Sequence, residues 1–203
     1  MTALFIKGLA FGFVLAATVG PMWVLCFRRT VASGALAGFV SGMGIAVADG
    51  IYGALAAFGL SAASGLLLGH KLWLGLLGGA FLVYLGFRIL RSPPVTPGNE
   101  AAAKLPLASA FLSTLALTLA NPPTILAFAA IFAGLGLAQG ADFAAAALVT
   151  LGVFLGSASW WLILAAAAGR LHGRVPPALM RAVNVVSGVS ILAFGLWQLA
   201  RLV

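Results

Sequence analysis

The sequence predicts an all-α, polytopic membrane protein with six transmembrane helices arranged as two inverted three-helix repeats. Three observations lead to this fold class. First, hydrophobic residues make up 63% of the chain and charged residues only 7%, whereas a soluble domain carries about 25% charged residues. Second, the apolar residues form long runs separated by short basic or glycine-rich connections. Third, glycine and proline positions of the first half recur in the second half.

Six apolar runs, numbered here as spans 1 to 6, are each long enough to cross about 30 Å of hydrocarbon as a helix. Strands would leave backbone groups unpaired in lipid, so every span is predicted to be helical. A proline-containing cytoplasmic linker at 92–106 separates a first repeat, 1–91, from a second, 107–203, within a single transmembrane domain. The spans cover residues 4–27, 35–59, 72–90, 107–134, 143–168 and 181–200.

The basic residues predict the orientation, because cytoplasmic connections of membrane proteins are enriched in Lys and Arg. Lys7, Lys71 and Arg201 lie on the side of the termini and the even-numbered connections. The other basic residues lie in the first, third and fifth connections: Arg28, Arg29, Arg88, Arg91, Lys104, Arg170, Arg174 and Arg181. Both termini are therefore predicted to lie outside. The net charge of +8 reflects this bias, and nucleic acid is not an expected partner.

The two halves share small residues in the same order along three helices. Three helices per half is an odd number, so the second half must be inverted relative to the first. Inverted repeats are typical of secondary transporters, whose substrate site lies near the midplane between the repeats. The matching positions are Pro21 with Pro122, Gly38 with Gly152, Gly42 with Gly156, Gly79 with Gly188 and Gly86 with Gly195.

Asp49 is the one acidic or basic residue of span 2. A charged side chain in hydrocarbon costs about 2.5–3.5 kcal/mol on insertion scales, so it must face protein or water. Such a carboxyl changes its protonation state as water reaches it or leaves it, which favours a role in an ion or proton pathway. The alternative is a structural acid that forms a hydrogen bond to a neighbouring helix.

Gly38 and Gly42 fall on the same face of the predicted helix as Asp49. Small residues at this spacing let two helix backbones approach closely. A similar pattern at Gly8 and Gly12 makes span 1 a candidate partner for this face. Plain helix packing accounts for most of these glycines.

Gly20-Pro21 and Asn121-Pro122 are predicted to break spans 1 and 4, because proline lacks an N–H and clashes with the preceding turn. Broken helices are tolerated at membrane depth only inside protein or beside a water-filled cavity. We expect the freed carbonyls and half-helix ends to line a substrate site. Thr118 shares a helix face with Asn121 and joins this site. Two plain proline kinks are the alternative.

Trp160 in span 5 is a candidate to cover a substrate or stack on a cationic group, with simple packing as the alternative. Enzyme signatures are absent from the sequence. No His, Cys, Asp or Glu group has metal-ligand spacing, and no phosphate-binding glycine loop occurs. We therefore expect no enzyme activity, no metal and no cofactor.

Three motifs resemble the lysine exporter (LysE) family of amino-acid efflux transporters. They are Ala-Thr-Val-Gly-Pro at 17–21, Gly-Met-Gly-Ile-Ala-Val-Ala-Asp at 42–49 and Asn-Pro-Pro-Thr-Ile-Leu at 121–126. The resemblance implies six helices in the bacterial inner membrane and gradient-driven export of amino acids or related small metabolites. It is compatible with a homodimer. Val19 and Pro123 depart from the proline and lysine common in the family, so the substrate itself is not implied.

The sequence therefore predicts proton-linked efflux of an amino acid or a similar zwitterion, with Asp49 as the coupling residue. The expected partners are this substrate and the lipid bilayer. Export of a metal ion is an alternative, disfavoured because no second acid, cysteine or histidine lies near Asp49 in the sequence pattern. A non-transporting scaffold subunit is another, and it would use Asp49 and the proline motifs for stability alone.

Overall fold

The computed structural model describes residues 1–57, 71–93, 105–121, 124, 128 and 143–202. This part of the chain contains seven α-helices and no strand, which confirms the all-helical prediction there. Most of the linker and the second part of span 4 lie outside the described residues. The helices are α1 (Thr2–Ala17), α2 (Pro21–Ser33), α3 (Ala35–Ala57), α4 (Lys71–Leu90), α5 (Leu107–Leu119), α6 (Phe143–Gly169) and α7 (Pro177–Ala200).

Three of these helices, α3, α6 and α7, are long and apolar enough to cross a membrane on their own. The consecutive helices α1 and α2 meet the same criteria together but are bent by 75°. Two further apolar helices are shorter, at Gly75–Leu90 and Leu107–Leu119. The chain is thus a membrane protein, while the count of six spans stays a prediction.

The helices pack as two groups that α2 connects. In one group, α6 packs against α1 and α3, and α3 packs in turn against α5. In the other group, α4 packs along α7. Because α2 touches α3, α6 and α7, its position is fixed by both groups.

Glycines bring α1 and α6 into backbone contact. A Cβ built on Gly8 or Gly12 would collide with the α6 backbone, and one on Gly152 or Gly156 would collide with the α1 backbone. In lipid such close approach provides van der Waals contact that the hydrophobic effect cannot supply between helices. The prediction that this face of span 1 packs against the Asp49 helix is therefore wrong: its partner is α6.

The α4–α7 contact is built in the same way. Gly79 packs against the backbone of Gly195, and Gly86 packs against the backbone of Gly188. The contact is antiparallel, since the residue nearer the start of α4 meets the one nearer the end of α7. All four glycines are positions that the sequence comparison of the two halves had singled out.

The prediction that Arg28 and Arg29 lie in a connection is also wrong. After the break the helix restarts at Pro21 and runs to Ser33, since no residue in between interrupts its hydrogen bonding. Gly34 alone connects α2 to α3, and its φ of 91° is a conformation that glycine adopts without strain. Both arginines are thus helical residues near the end of α2.

Replacing Gly12 by alanine tests the α1–α6 contact. Alanine normally stabilises a helix interior by about 0.5–1 kcal/mol over glycine, but here its methyl group would overpack the interface, at a cost of about 1–3 kcal/mol. We expect Gly12→Ala to lower the thermal unfolding temperature of the purified protein in detergent. Gly20→Ala is the matched control, because a Cβ on Gly20 meets nothing within 4 Å. Equal unfolding temperatures for the two variants would contradict this packing.

Candidate functional site

The first helix is broken between Ala17 and Pro21, as its Gly-Pro motif predicts. Gly20 is extended, with φ −151°, and its carbonyl oxygen accepts the N–H of Val24 at 3.0 Å. Pro21 occupies the first position of α2. An N–H at this position would have no acceptor within the helix, so its absence in proline costs no helical hydrogen bond. No side chain caps the start of α2. The N–H groups of its first turn are therefore open to an external acceptor.

The second break follows α5, which ends at Leu119. In a continuing α-helix the N–H of residue 123 would donate to the carbonyl oxygen of Leu119. Pro123 has no N–H, so this hydrogen bond cannot form. The hydroxyl of Tyr52 in α3 donates to this carbonyl oxygen at 2.6 Å. Tyr52 is buried. Its hydroxyl therefore replaces the backbone N–H that would bond to this carbonyl in a regular helix. Pro122 itself lies outside the described residues.

Residues that flank the two breaks pack into common clusters of buried side chains. Leu15, before the first break, and Leu119, at the second, pack into the same cluster of buried side chains. Met22, after the first break, and Leu117, before the second, share another cluster. The helix ends that flank the two breaks therefore contribute to the same clusters, although they are about a hundred residues apart in sequence.

Asp49 is buried between α3 and α6, with 2% of its surface exposed. The hydroxyl of Ser157 in α6 donates to its Oδ2 at 2.7 Å. Ile45 and Ala46, one turn before Asp49, pack with Ala16 beside the first break. The acid therefore faces the protein interior rather than lipid, and a helix from the second half of the chain provides its partner.

Two polar residues at the second break are incompletely paired. The hydroxyl oxygen of Thr118 and the Oδ1 atom of Asn121 are buried and have no hydrogen-bond partner among the described residues. The Asn121 side-chain amide donates to Thr124 Oγ1 at 2.9 Å. An unpaired buried polar atom costs about 1–3 kcal/mol, so such atoms call for a water or a ligand. Both residues are ones that the sequence assigned to a substrate site.

Trp160 lies beside the first break. Its ring packs edge-on against Phe13, with 5.4 Å between the ring centroids. It also belongs to the cluster that contains Ala16, Met22 and Trp23. The indole N–H of Trp160 is buried without a partner among the described residues. Trp160 therefore packs near the first break, and its indole N–H is available to donate a hydrogen bond.

The two glycines assigned to packing contact different helices. A Cβ on Gly38 would collide with Thr30 of α2, and one on Gly42 would collide with Trp161 of α6. Both glycines let α3 approach its neighbours closely. The same face of α3 therefore packs against the end of the broken helix and against the helix that holds Ser157.

Sequence reasoning missed Tyr52 and Arg29. Tyr52 could have been found, because it follows Asp49 by three residues and so lies on the same side of α3. The Arg29 guanidinium is buried and donates to Ser41 Oγ at 3.1 Å, to the Ala110 carbonyl at 3.0 Å and to Ser113 Oγ at 2.8 Å. It joins α2, α3 and α5, and no sequence feature separates it from an ordinary cytoplasmic arginine.

The described residues contain no group of three His, Cys, Asp or Glu side chains placed to hold a metal ion. They do contain one buried carboxyl, two helix breaks whose flanking residues share clusters, and several buried polar atoms without a partner among these residues.

An apolar helical bundle with broken helices at its interior is typical of secondary membrane transporters. The chain belongs to the LysE type translocator family, whose model matches residues 13–201. It is therefore a transporter of this family, as the three sequence motifs indicated.

Two curated relatives are similar over most of their length. The chain is 26% identical over 200 residues to the "Putative amino acid efflux protein YcgF" of Bacillus subtilis (strain 168), covering 96% of this chain and 94% of that protein. It is 28% identical over 169 residues to the "Uncharacterized membrane protein YahN" of Escherichia coli (strain K12), covering 80% and 75%. No solved structure matches the chain significantly.

Tyr52→Phe tests whether this hydroxyl stabilises the second break. The change leaves the Leu119 carbonyl unpaired, and an unsatisfied buried acceptor costs about 1–3 kcal/mol. We expect a lower thermal unfolding temperature in detergent. Tyr84→Phe removes the same hydroxyl from a residue that is 56% exposed and should leave the unfolding temperature unchanged. If both variants unfold at the wild-type temperature, Tyr52 does not stabilise the break.

Proposed function

We propose that this protein exports amino acids or related small metabolites across the bacterial inner membrane by proton-linked secondary transport. The observation that carries the proposal is Asp49, a carboxyl buried between α3 and α6 and close to the first helix break. Membership of the LysE type translocator family supports transport. Similarity to a relative named for amino acid efflux supports the substrate class.

The helix breaks suit the two charges of a zwitterion. The uncapped N-terminus of α2 offers N–H groups and the positive end of a helix dipole to a carboxylate. The C-terminal ends of α1 and α5 offer carbonyl oxygens and negative dipole ends to an ammonium group. We assign the contacts to Gly20, Pro21, Asn121 and Pro122, and we add Thr118 and Trp160 as hydrogen-bonding and wall residues.

Asp49 is the proposed coupling residue. Its partner in the second half of the chain is the Ser157 hydroxyl, so a movement of α6 relative to α3 changes the surroundings of the carboxyl. Exchange of a proton requires water to reach Asp49, and loss of water favours the neutral form. A conformational change that opens the α3–α6 contact would let water reach Asp49 from one side of the membrane. Proton uptake or release would then be linked to the side that the substrate site faces.

The contacts between α4 and α7 support two inverted halves. The sequence pairs Gly79 with Gly188 and Gly86 with Gly195. If a two-fold rotation exchanges the halves, the contact of Gly79 with Gly195 must have a counterpart. That counterpart is the contact of Gly188 with Gly86, and both contacts are present. Alternating access would then arise from one half rocking against the other.

The topology forms part of the same proposal. The excess of basic residues in the odd-numbered connections and at the end of α2 favours a cytoplasmic location for that end of the bundle. Both termini would then lie outside. A homodimer, with which the family resemblance is compatible, stays a prediction.

Asp49→Asn tests the coupling role in proteoliposomes. Asparagine has the size of the native side chain and can still bond to Ser157, but it cannot bind or release a proton. We expect export driven by a pH gradient to fall at least about tenfold. Exchange of labelled for unlabelled substrate at equal pH on both sides, which needs no net proton movement, should continue.

Two comparisons make the result specific. Ser157→Ala, which retains the carboxyl, should still respond to the pH gradient, and Asp49→Glu should recover part of the response. If Asp49→Asn keeps a full response to the gradient, the coupling role is refuted. If the wild type and all the variants fail to exchange amino acids, the assignment of substrate class is refuted instead.

A further inference from the structure

A cleft of about 450 Å³ opens between the end of α4 and the first half of α7. Its polar lining includes Arg91, Arg181 and Asn184, and its apolar lining includes Leu90 and Val185. It lies at the end of α4 that carries the basic residues, and no residue of the proposed transport site lines it. The cleft therefore needs an explanation of its own.

A buried polar residue forms one wall of the cleft. Asn184 is 2% exposed, and its Oδ1 accepts a hydrogen bond from Arg28 Nε at 2.8 Å. Its side-chain amide lies 3.4 Å from the Ser92 carbonyl oxygen, a long contact that leaves the amide able to bond elsewhere. This bond pattern holds the guanidinium of Arg28 directly behind the cleft.

Positive charge accumulates here in the part of the chain that the structure describes. Arg28 is bonded to the wall residue Asn184, while Arg91 and Arg181 line the opening. No carboxylate forms an ion pair with any of these arginines in the part of the chain that the structure describes. An anion bound between Arg91 and Arg181 would offset this positive charge and accept their hydrogen bonds.

The surroundings of the cleft favour an anion with an apolar tail. The outward faces of α4 and α7 expose Phe87 and Val186, at 47% and 63%, and continue the apolar lining of Leu90 and Val185. Arg91 lies over the Phe87 ring, 4.0 Å from its centroid, at the junction of the charged and apolar surfaces. A guanidinium in that position can bond to a phosphate while acyl chains pack along the helices.

We propose that this cleft binds the phosphate headgroup of an anionic phospholipid. Arg91 and Arg181 would each donate paired N–H groups to phosphate oxygens, and the Asn184 amide would donate from the wall. Basic pockets between helices at the cytoplasmic surface are suited to such headgroups. A soluble phosphate offers the same anionic group but would leave the apolar part of the lining unused.

Lipid binding to the purified, delipidated protein tests this proposal. Short-chain phosphatidylglycerol should raise the thermal unfolding temperature and remain bound in native mass spectrometry, whereas phosphatidylcholine of the same chain length should do neither. One surface arginine contributes about a fivefold change in affinity for an anionic membrane. Arg91→Gln and Arg181→Gln should therefore each weaken phosphatidylglycerol binding roughly fivefold.

Arg201→Gln is the matched control, because Arg201 lies over the Trp197 ring at 4.9 Å but at the opposite end of α7. It should bind phosphatidylglycerol like the wild type. Arg91→Lys keeps the charge but not the paired donors, so it provides a milder variant if the glutamine variants unfold. Equal binding by Arg201→Gln and the cleft variants overturns the site. An equal response to glycerol phosphate overturns the lipid as its source.

Discussion

Backbone polar groups inside this bundle must find partners within the protein, because lipid offers none. The two Pro-containing breaks make this constraint acute, because each ends a helix and leaves its last carbonyl groups without partners in that helix. At α5 the constraint is met by Tyr52, whose hydroxyl bonds to the Leu119 carbonyl. At the start of α2 no side chain caps the helix. The same constraint thus connects one break to α3, and at the other break the proposed substrate would supply the partner.

Two kinds of contact hold the bundle together: backbone contacts at glycines and hydrogen bonds between side chains. Where glycines meet, as in α1 against α6 and α4 against α7, the helix backbones touch, and each pair joins a helix of the first half to a helix of the second half. Where α3 meets α6, a bond between Asp49 and Ser157 joins two halves of the chain. A bond between two side chains can break and re-form when its surroundings change, and the proposed coupling step at Asp49 depends on this.

Composition and run length were sufficient to predict the helices, because a membrane leaves the backbone few alternatives. The spans at 72–90 and 143–168 agree with α4 and α6 to within a residue at each end. The last helix begins earlier than predicted, at Pro177, since hydropathy does not register that proline can start a helix. The broken first helix was also predictable, because the effect of Gly20-Pro21 on the backbone is local.

The neighbours of each helix were harder to predict. The glycine pattern around Asp49 defines one face of a helix but not the helix that lies on it, and so Ser157 was not identified as its partner. Arg29 was assigned to a connection because charge after an apolar run usually marks its end. Only the three-dimensional arrangement shows that Ser41, Ala110 and Ser113 supply it with acceptors.

The central claim is that the first helix break belongs to a substrate site that faces each side of the membrane in turn. Cysteine labelling of Gly20→Cys tests it most directly, because a Cβ at Gly20 meets nothing within 4 Å and the native Cys26 is fully buried. The account predicts reaction with a membrane-impermeant maleimide from either side, slowed by a transported amino acid. Reaction from one side alone, at a rate that substrate does not change, would contradict it.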